Sequence, residues 1–275
     1  MYQNPILQHN LKLLQKYGYE IIEPESGMLA CGYEGMGRLR SVEDIVDQLT
    51  SHTDKENLLL KGKRVLITAG GTMEAIDPVR YLGNRSSGKM GIAFAEACRD
   101  QGATVTLVYS QVKAHLPKGV RLLHAESAES MLSLLQSEID NHQLLIMAAA
   151  VGDYRVESQS KTKIKKGSQP LTLRLIENPD ILKTLSQSKK KNQLFVGFAA
   201  ETDHHLENAT KKLKSKSLDM IVLNDVSQKD IGFNSNENAV TLLFSADDKL
   251  DIPRQSKYDI SRHIIQVIHK RFYDN

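Results

Sequence analysis

Several short segments of this chain place small, amide, acidic and lysine side chains at spacings suited to holding a phosphorylated ligand. Thr68-Ala69-Gly70-Gly71-Thr72 ends an apolar run, and a turn at the carboxyl end of a leading strand is where α/β proteins seat ligands. Gly83-Asn84-Arg85-Ser86-Ser87-Gly88-Lys89-Met90 comes close to a phosphate-binding P-loop, GxxxxGK followed by Ser or Thr, but Met90 stands where a hydroxyl should reach magnesium. Small residues entering a helix at Gly88 would still leave backbone N–H groups for a phosphate. A plain helix N-cap by Ser86 or Ser87 explains the same residues about equally well.

Met147-Ala148-Ala149-Ala150-Val151-Gly152-Asp153-Tyr154 ends a second apolar run in side chains small enough for a base or ribose to approach the backbone. Asp153 follows as a carboxylate for a ribose hydroxyl or a metal ion, although small residues also serve tight packing alone. Lys163-Ile164-Lys165-Lys166 offers loop ammonium groups that could meet charge building on phosphates during group transfer. Asn178-Pro179-Asp180-Ile181 reads first as a helix start. Gly197 to Thr202 closes another strand, with Phe198 more at home in a core than under a base, and Lys212 and Lys216 share one helix face at i, i+4.

The elements that must carry these residues follow from periodicity. Strands are expected at Arg64 to Ala69, Thr104 to Tyr109, Arg121 to His124, Leu144 to Ala149, Leu194 to Phe198 and Met220 to Leu223. Helices are expected at Gly88 to Asp100, Ala128 to Ile139, Pro179 to Ser186, His204 to Lys214 and Tyr258 to Phe272, with Ser127 and Asn178 as N-caps. The alternation predicts an α/β fold, a doubly wound, mostly parallel sheet. Leu171 to Ile176 and Ala239 to Phe244 are expected to add antiparallel strands to it, and polar Glu157 to Ser168 to form an exposed, mobile loop. Residues 1–55 hold two helices, Ile6 to Tyr17 and Val42 to Leu49, around a glycine-rich stretch. That is too little for a core of their own, and Ser51 to Glu56 reads as a linker to a main domain over 56–275.

With 275 residues, 40% of them hydrophobic, the chain can bury a substantial core. No run nears the roughly eighteen apolar residues of a membrane span, and the N-terminus lacks signal-peptide features, so a cytoplasmic protein without a membrane partner is expected. Cys31 and Cys98 stand alone, giving neither a disulfide framework nor a zinc site. A net charge of +3, with lysine clusters poor in aromatics, suits a charged small ligand better than nucleic acid. The missing GxGxxG fingerprint argues against a nicotinamide oxidoreductase.

Taken in order, ITAGGTMEAIDPVRYLGNRSSGKMG, AAAVGDYR, KIKK, ENPDIL, VGFAAET and NDVS with GFNS resemble the phosphopantothenoylcysteine synthetase domain of the bifunctional bacterial coenzyme A enzyme, from about Gly62 to the C-terminus. The resemblance implies a Rossmann-like fold with a dimerising addition, a homodimer, and ligation of 4'-phosphopantothenate to L-cysteine with CTP and Mg2+. On matching positions it makes Asn84 the residue that handles an acyl-cytidylate and Lys163 the loop lysine that helps form it. It also places Met147, Ala148, Ala149, Asp153, Lys163, Pro179, Asp180, Ile181, Leu182, Phe198, Lys212 and Lys216 at the CTP, and leaves the metal ligands unassigned. Gly71 and Gly152 depart from a common proline and alanine.

NPILQHNLKLL and EPESGMLACGYEGMGRL resemble the tail of the fused flavin-dependent decarboxylase, with Cys31 in its flap. The flavin-binding part of that domain is missing, so neither bound FMN nor decarboxylase activity is expected. A truncated gene product, an excised piece and one half of a split pair with a separate decarboxylase partner would all look like this. A binding or regulatory protein that kept the fold without the chemistry is the alternative function.

Overall fold

The computed structural model describes residues 2–19, 21–28, 32–52, 58–166, 170–201, 205–225 and 235–274. Cys31, most of the 51–56 linker, and the end of the NDVS and start of the GFNS segments lie outside them. The chain divides into two compact units, Met1–Leu58 and Leu59–Asn275.

In the first unit, α1 (Pro5–Lys16) starts at Asn4, whose side chain accepts the Ile6 N–H at 2.9 Å. No residue of α1 is buried, and Ile6 is 72% exposed, in keeping with an apolar stripe that this short segment cannot cover. The glycine-rich stretch forms a hairpin, β1 (Glu25–Met28) against β2 (Glu34–Arg38), with Ser26 opposite Met36. Helix α2 (Val42–His52) runs three residues past the expected end.

The second unit is built on β3 (Arg64–Ala69), β6 (Thr104–Tyr109), β7 (Arg121–His124), β8 (Leu144–Met147), β11 (Leu194–Glu201), β12 (Met220–Asp225), β13 (Glu237–Leu243) and β14 (Lys249–Ser256). These form one sheet in the order β14-β13-β12-β11-β8-β3-β6-β7, parallel from β12 to β7 and antiparallel at β13 and β14. The chain winds outward from β3 through β6 to β7, then returns to β8 and winds the other way. The reversal between β3 and β8 is a topological switch point, where the loops at the carboxyl ends splay apart and leave a crevice.

Both faces of the sheet are covered, which is why its strands are continuous apolar runs. Val65, Ile67 and Ala69 pack with α3 (Lys89–Asp100) and α7 (Lys257–Phe272) through Phe94, Ile260, Ile264 and Ile268. Leu66, Leu145 and Phe195 face the opposite layer of α4 (Ala128–Glu138), α5 (Ile181–Ser186) and α6 (His205–Ser215). Two ribbons stand outside this sheet. One pairs β4 (Met73–Ala75) with β5 (Tyr81–Gly83), and the other pairs β9 (Tyr154–Val156) with β10 (Leu175–Glu177).

Four expectations are corrected. The strand at Leu144 ends at Met147, because Ala149 N–H leaves the ladder to reach the Thr68 hydroxyl at 3.0 Å. The 171–176 run contributes only its end, to the β9–β10 ribbon instead of the main sheet. The helix after Pro179 begins at Ile181, capped by Asp180, whose Oδ1 accepts the Lys183 N–H at 3.1 Å. Asn178 is not the cap, since its amide donates to Gly152 O at 2.8 Å and accepts from Arg155 at 3.1 Å.

Candidate active site

At the switch point lies a cavity of about 760 Å³, lined by residues 84–90, 147–154 and 177–182, by Phe198 and Ala199 of β11, by Lys212 and Lys216, and by Asn224, Asn238 and Lys257. That size is ample for a nucleotide-sized ligand.

The strand ends that lead to it are tied together through backbone. Gly71 N–H donates to Gln111 O at 3.1 Å, and Gln111 N–H returns a bond to Gly71 O at 3.2 Å. Ala150 N–H donates to Gly70 O at 2.8 Å and Thr72 N–H to Ala150 O at 3.2 Å. The loops after β3, β6 and β8 are thus bonded into one piece. Gly70 has φ +89°, and a Cβ there would sit 2.4 Å from Gln111 O, so only glycine fits. Buried Thr72 ties in the next turn by accepting the Gly152 N–H at 2.8 Å.

Asn84 follows the β4–β5 hairpin. Its Nδ2 donates to Val151 O at 3.0 Å, which fixes the amide plane and leaves Oδ1 as the acceptor. Helix α3 then starts behind Gly88, at φ 73° with no side-chain cap on the first turn. The plain Ser86 or Ser87 N-cap is therefore not what forms: Ser86 Oγ accepts only the Gly88 N–H, at 3.3 Å. First-turn amides without a side-chain cap, next to the cavity, suit an anion. Helix and strand pack closely enough that a Cβ on Gly91 would lie 2.5 Å from Thr68 O.

Met147 to Ala149, Asp153, Pro179 to Leu182, Phe198, Lys212 and Lys216 all come together around this cavity. Phe198 serves two ends, since its ring also meets Phe94 edge-on at 5.6 Å between centroids. Lys216, one residue beyond α6, pairs with Asp180 at 3.1 Å. Lys163 is not among the lining residues; its loop is bonded to the β4–β5 hairpin. Sequence reasoning passed over Lys257, a buried lysine at the start of α7, and Asn238, also buried. Burial, and then the nearby Lys89 charge, lower the Lys257 ammonium to about 8. The basic lining, Arg85, Lys89, Lys212, Lys216 and Lys257, exceeds the acidic, Asp153, Glu177 and Asp180, as a polyanion requires.

Among the described residues no group of three His, Cys, Asp or Glu could hold a metal ion by itself. Mg2+ characteristically takes one or two carboxylates and completes its shell with phosphate oxygens and water. Asp153 at the cavity wall fits that mode, and a stand-alone protein cage does not.

A doubly wound α/β sheet with a predominantly basic cavity at its switch point defines the class of α/β proteins whose crevice suits a polyanionic ligand. Residues 60–272 match the family model described as the DNA/pantothenate metabolism flavoprotein C-terminal domain, and the chain belongs to that family. Residues 1–54 match the Flavoprotein family. The chain is 44% identical over 270 residues to the coenzyme A biosynthesis bifunctional protein CoaBC of Bacillus subtilis, covering 98% of this chain and 66% of that one. A protein from an unknown prokaryotic organism, named as a cysteine/cysteine sulfinic acid decarboxylase, is 40% identical over 98% of this chain and 77% of its own. The crystal structure of the C-terminal domain of a CoaBC protein superposes with a TM-score of 0.68 at 38% identity, over 79% of this chain and all of that one. The chain spans about two thirds of the Bacillus relative's length. No helix among the described residues is long and apolar enough to cross a membrane.

Proposed function

We propose that residues 56–275 catalyse phosphopantothenate–cysteine ligation in coenzyme A biosynthesis, with CTP as the activating co-substrate. A carboxylate oxygen of 4'-phosphopantothenate attacks the α-phosphorus of CTP, making the acyl-cytidylate and releasing pyrophosphate. The L-cysteine amine then attacks the acyl carbon, loses a proton and displaces CMP. What supports this reading is the gathering of Asn84, Asp153, Phe198, Lys212 and Lys216 around one cavity, in a chain whose relatives include a coenzyme A biosynthesis protein.

In this scheme the α3 amides and the basic lining hold the triphosphate; Asp153 would hold Mg2+ on the protein side, where the ion would neutralise phosphate charge. Lys163 balances charge on the phosphates while the anhydride forms. Asn84, with its Nδ2 already on Val151 O, presents Oδ1 to the acyl intermediate and the incoming amine. The active form is a homodimer. The scheme assigns no step to residues 1–55.

Pyrophosphate release by the purified chain with 4'-phosphopantothenate, magnesium and CTP or ATP, with and without cysteine, tests the reading. Expected are release with CTP far above ATP, and CMP with an amide product only when cysteine is present. No release with either nucleotide refutes the ligase and leaves a binding protein of the same fold.

A further inference from the structure

The segment carrying Lys163 is fastened to the tip of the β4–β5 hairpin. Ser160 N–H donates to Ile76 O at 3.0 Å, Ile164 N–H donates to Asp77 Oδ2 at 3.1 Å, and Ile164 O accepts from Arg80 Nη2 at 2.7 Å. The Asp77 side chain has no exposed surface. Its two oxygens divide the work. Oδ1 closes the hairpin turn, accepting from Val79 N–H at 2.8 Å and Arg80 N–H at 2.9 Å. Oδ2 takes the Arg80 guanidinium through Nε at 3.0 Å and Nη2 at 2.5 Å, and with it the Ile164 N–H. The guanidinium holds the carboxyl well below the usual carboxylate range, so it stays charged at any working pH.

The partner chosen on the loop is informative. Lys163 and Lys165 flank Ile164, both exposed, and neither has a hydrogen-bond or ion-pair partner among the described residues. A carboxylate that merely neutralised this basic loop would meet an ammonium. Asp77 instead grips the backbone between two lysines, anchoring the loop while leaving both charges uncommitted. The hairpin that receives the loop ends at Gly83, next to Asn84.

We propose that Asp77 is a positioning residue: through the Ile164 N–H it ties the lysine loop to the hairpin that leads into Asn84, so that Lys163 and Asn84 are borne by one body. The proposal rests on the role assigned above to Lys163. Restricting the segment that carries a charge-balancing group removes search entropy before the reaction, whereas an untethered loop would lose it at each turnover.

Asp77→Asn separates the two functions of the carboxylate. Its amide oxygen can still accept the turn N–H groups, while its NH2 would face the Ile164 and Arg80 donors with another donor. Ile164→Pro removes the loop donor and leaves Asp77, Arg80 and the turn intact. Tryptic cleavage after Lys165 reads release of the loop directly, without reference to any reaction. Both variants are expected to be cut about ten- to a hundredfold faster than the unmodified protein, the range set by loss of a hydrogen bond to a charged group. In both, pyrophosphate release with CTP and 4'-phosphopantothenate should slow about tenfold, and neither change should slow a Lys163→Ala protein further, since residues acting as one unit do not add. Unchanged cleavage in both variants overturns the proposal, and so does faster cleavage with an unchanged pyrophosphate step. A purely structural loss would add to Lys163→Ala and is refuted or established by that comparison. If the unmodified protein releases no pyrophosphate, the ligase reading falls, and the tryptic comparison still decides whether Asp77 holds the loop.

Discussion

Gly91→Ala tests whether α3 must lie where it does for the site to work. A methyl group at Gly91 would come within 2.5 Å of Thr68 O, 2.7 Å of Ala69 Cβ and 2.9 Å of Ala69 Cα, all on or beside the backbone of β3. None of these atoms can swing aside, so restoring ordinary carbon contact distances requires the helix to retreat by about 1 Å. Overpacking of this kind costs about 1–3 kcal/mol, offset by up to about 1 kcal/mol from replacing a helical glycine with alanine. The net loss of stability is thus small, roughly 0–2 kcal/mol. The first turn of α3, with its amides toward the cavity, moves with the helix, and a misplacement of about 1 Å can cost about a hundredfold in rate. Urea unfolding set beside the rate of CTP-dependent pyrophosphate release should therefore show a modest shift in midpoint and a disproportionate loss of activity. Gly152→Ala is the control: its Cβ would be 3.4 Å from Glu74 Cγ and 3.5 Å from Thr72 Oγ1, ordinary contact, so both quantities should stay near those of the unmodified protein. Full activity in Gly91→Ala would refute the role of the α3 amides.

Thr68→Val should lower stability by about 1–3 kcal/mol in urea unfolding, because the hydroxyl is the acceptor for Ala149 N–H at 3.0 Å and its loss strands a backbone donor. Thr68→Ser should recover most of it. Lys257 titrates at about 8 in the folded chain against 10.5 ordinarily, so the unfolded chain holds a proton that the folded chain has lost between those values. Its contribution to stability should therefore rise with pH across that window. Bound phosphate favours the charged ammonium, so CTP affinity by calorimetry should fall as pH rises through about 8, and Lys257→Met should flatten the dependence. Asn84→Ala should leave pyrophosphate release in place while slowing cysteine-dependent CMP release about a hundredfold, the scale of one lost transition-state hydrogen bond. Equal slowing of both steps would count against the proposed division between Asn84 and Lys163.

The parallel strands were legible in the sequence because burial on both faces makes each an unbroken apolar run, as in Val65 to Ala69 and Leu144 to Met147. The β4–β5 hairpin was not, though Asp77-Pro78 marked the interruption. Strands of three residues lying outside the main sheet have too few apolar positions for a period to show. Strand β14 was missed for a related reason, since Ile252 is its one buried residue and Pro253 reads as a break, which an edge strand tolerates. At Asn178-Pro179-Asp180 the sequence holds two cap-type side chains two residues apart where one helix start needs one. The choice was settled by a distant group, Gly152 O, which claims the Asn178 amide and leaves Asp180 to the helix.

The site residues divide in the same way. Those just after the core strands, Met147 to Ala149 and Asp153, stood out by the strand pattern itself, because the carboxyl end of a parallel strand at a switch point is where ligands sit, whereas Phe198 read as core and meets both Phe94 and the cavity. Asn84 lines the cavity on an excursion from the sheet and Lys163 lies on an excursion outside the lining; the residues marked both segments as phosphate-holding candidates, and the resemblance to a known family gave these two their roles. Physically, the difference is that the strand ends are bonded to one another through the backbone of Gly70, Gly71, Gln111 and Ala150. The excursions are held by local contacts, Asn84 to Val151 O, and the lysine loop to Ile76 O, Asp77 and Arg80. In the proposed reaction a residue that only holds ligand acts on binding and so on every step that follows it. Asn84 and Lys163 would each meet one stage of that reaction, so their substitutions should separate its two steps.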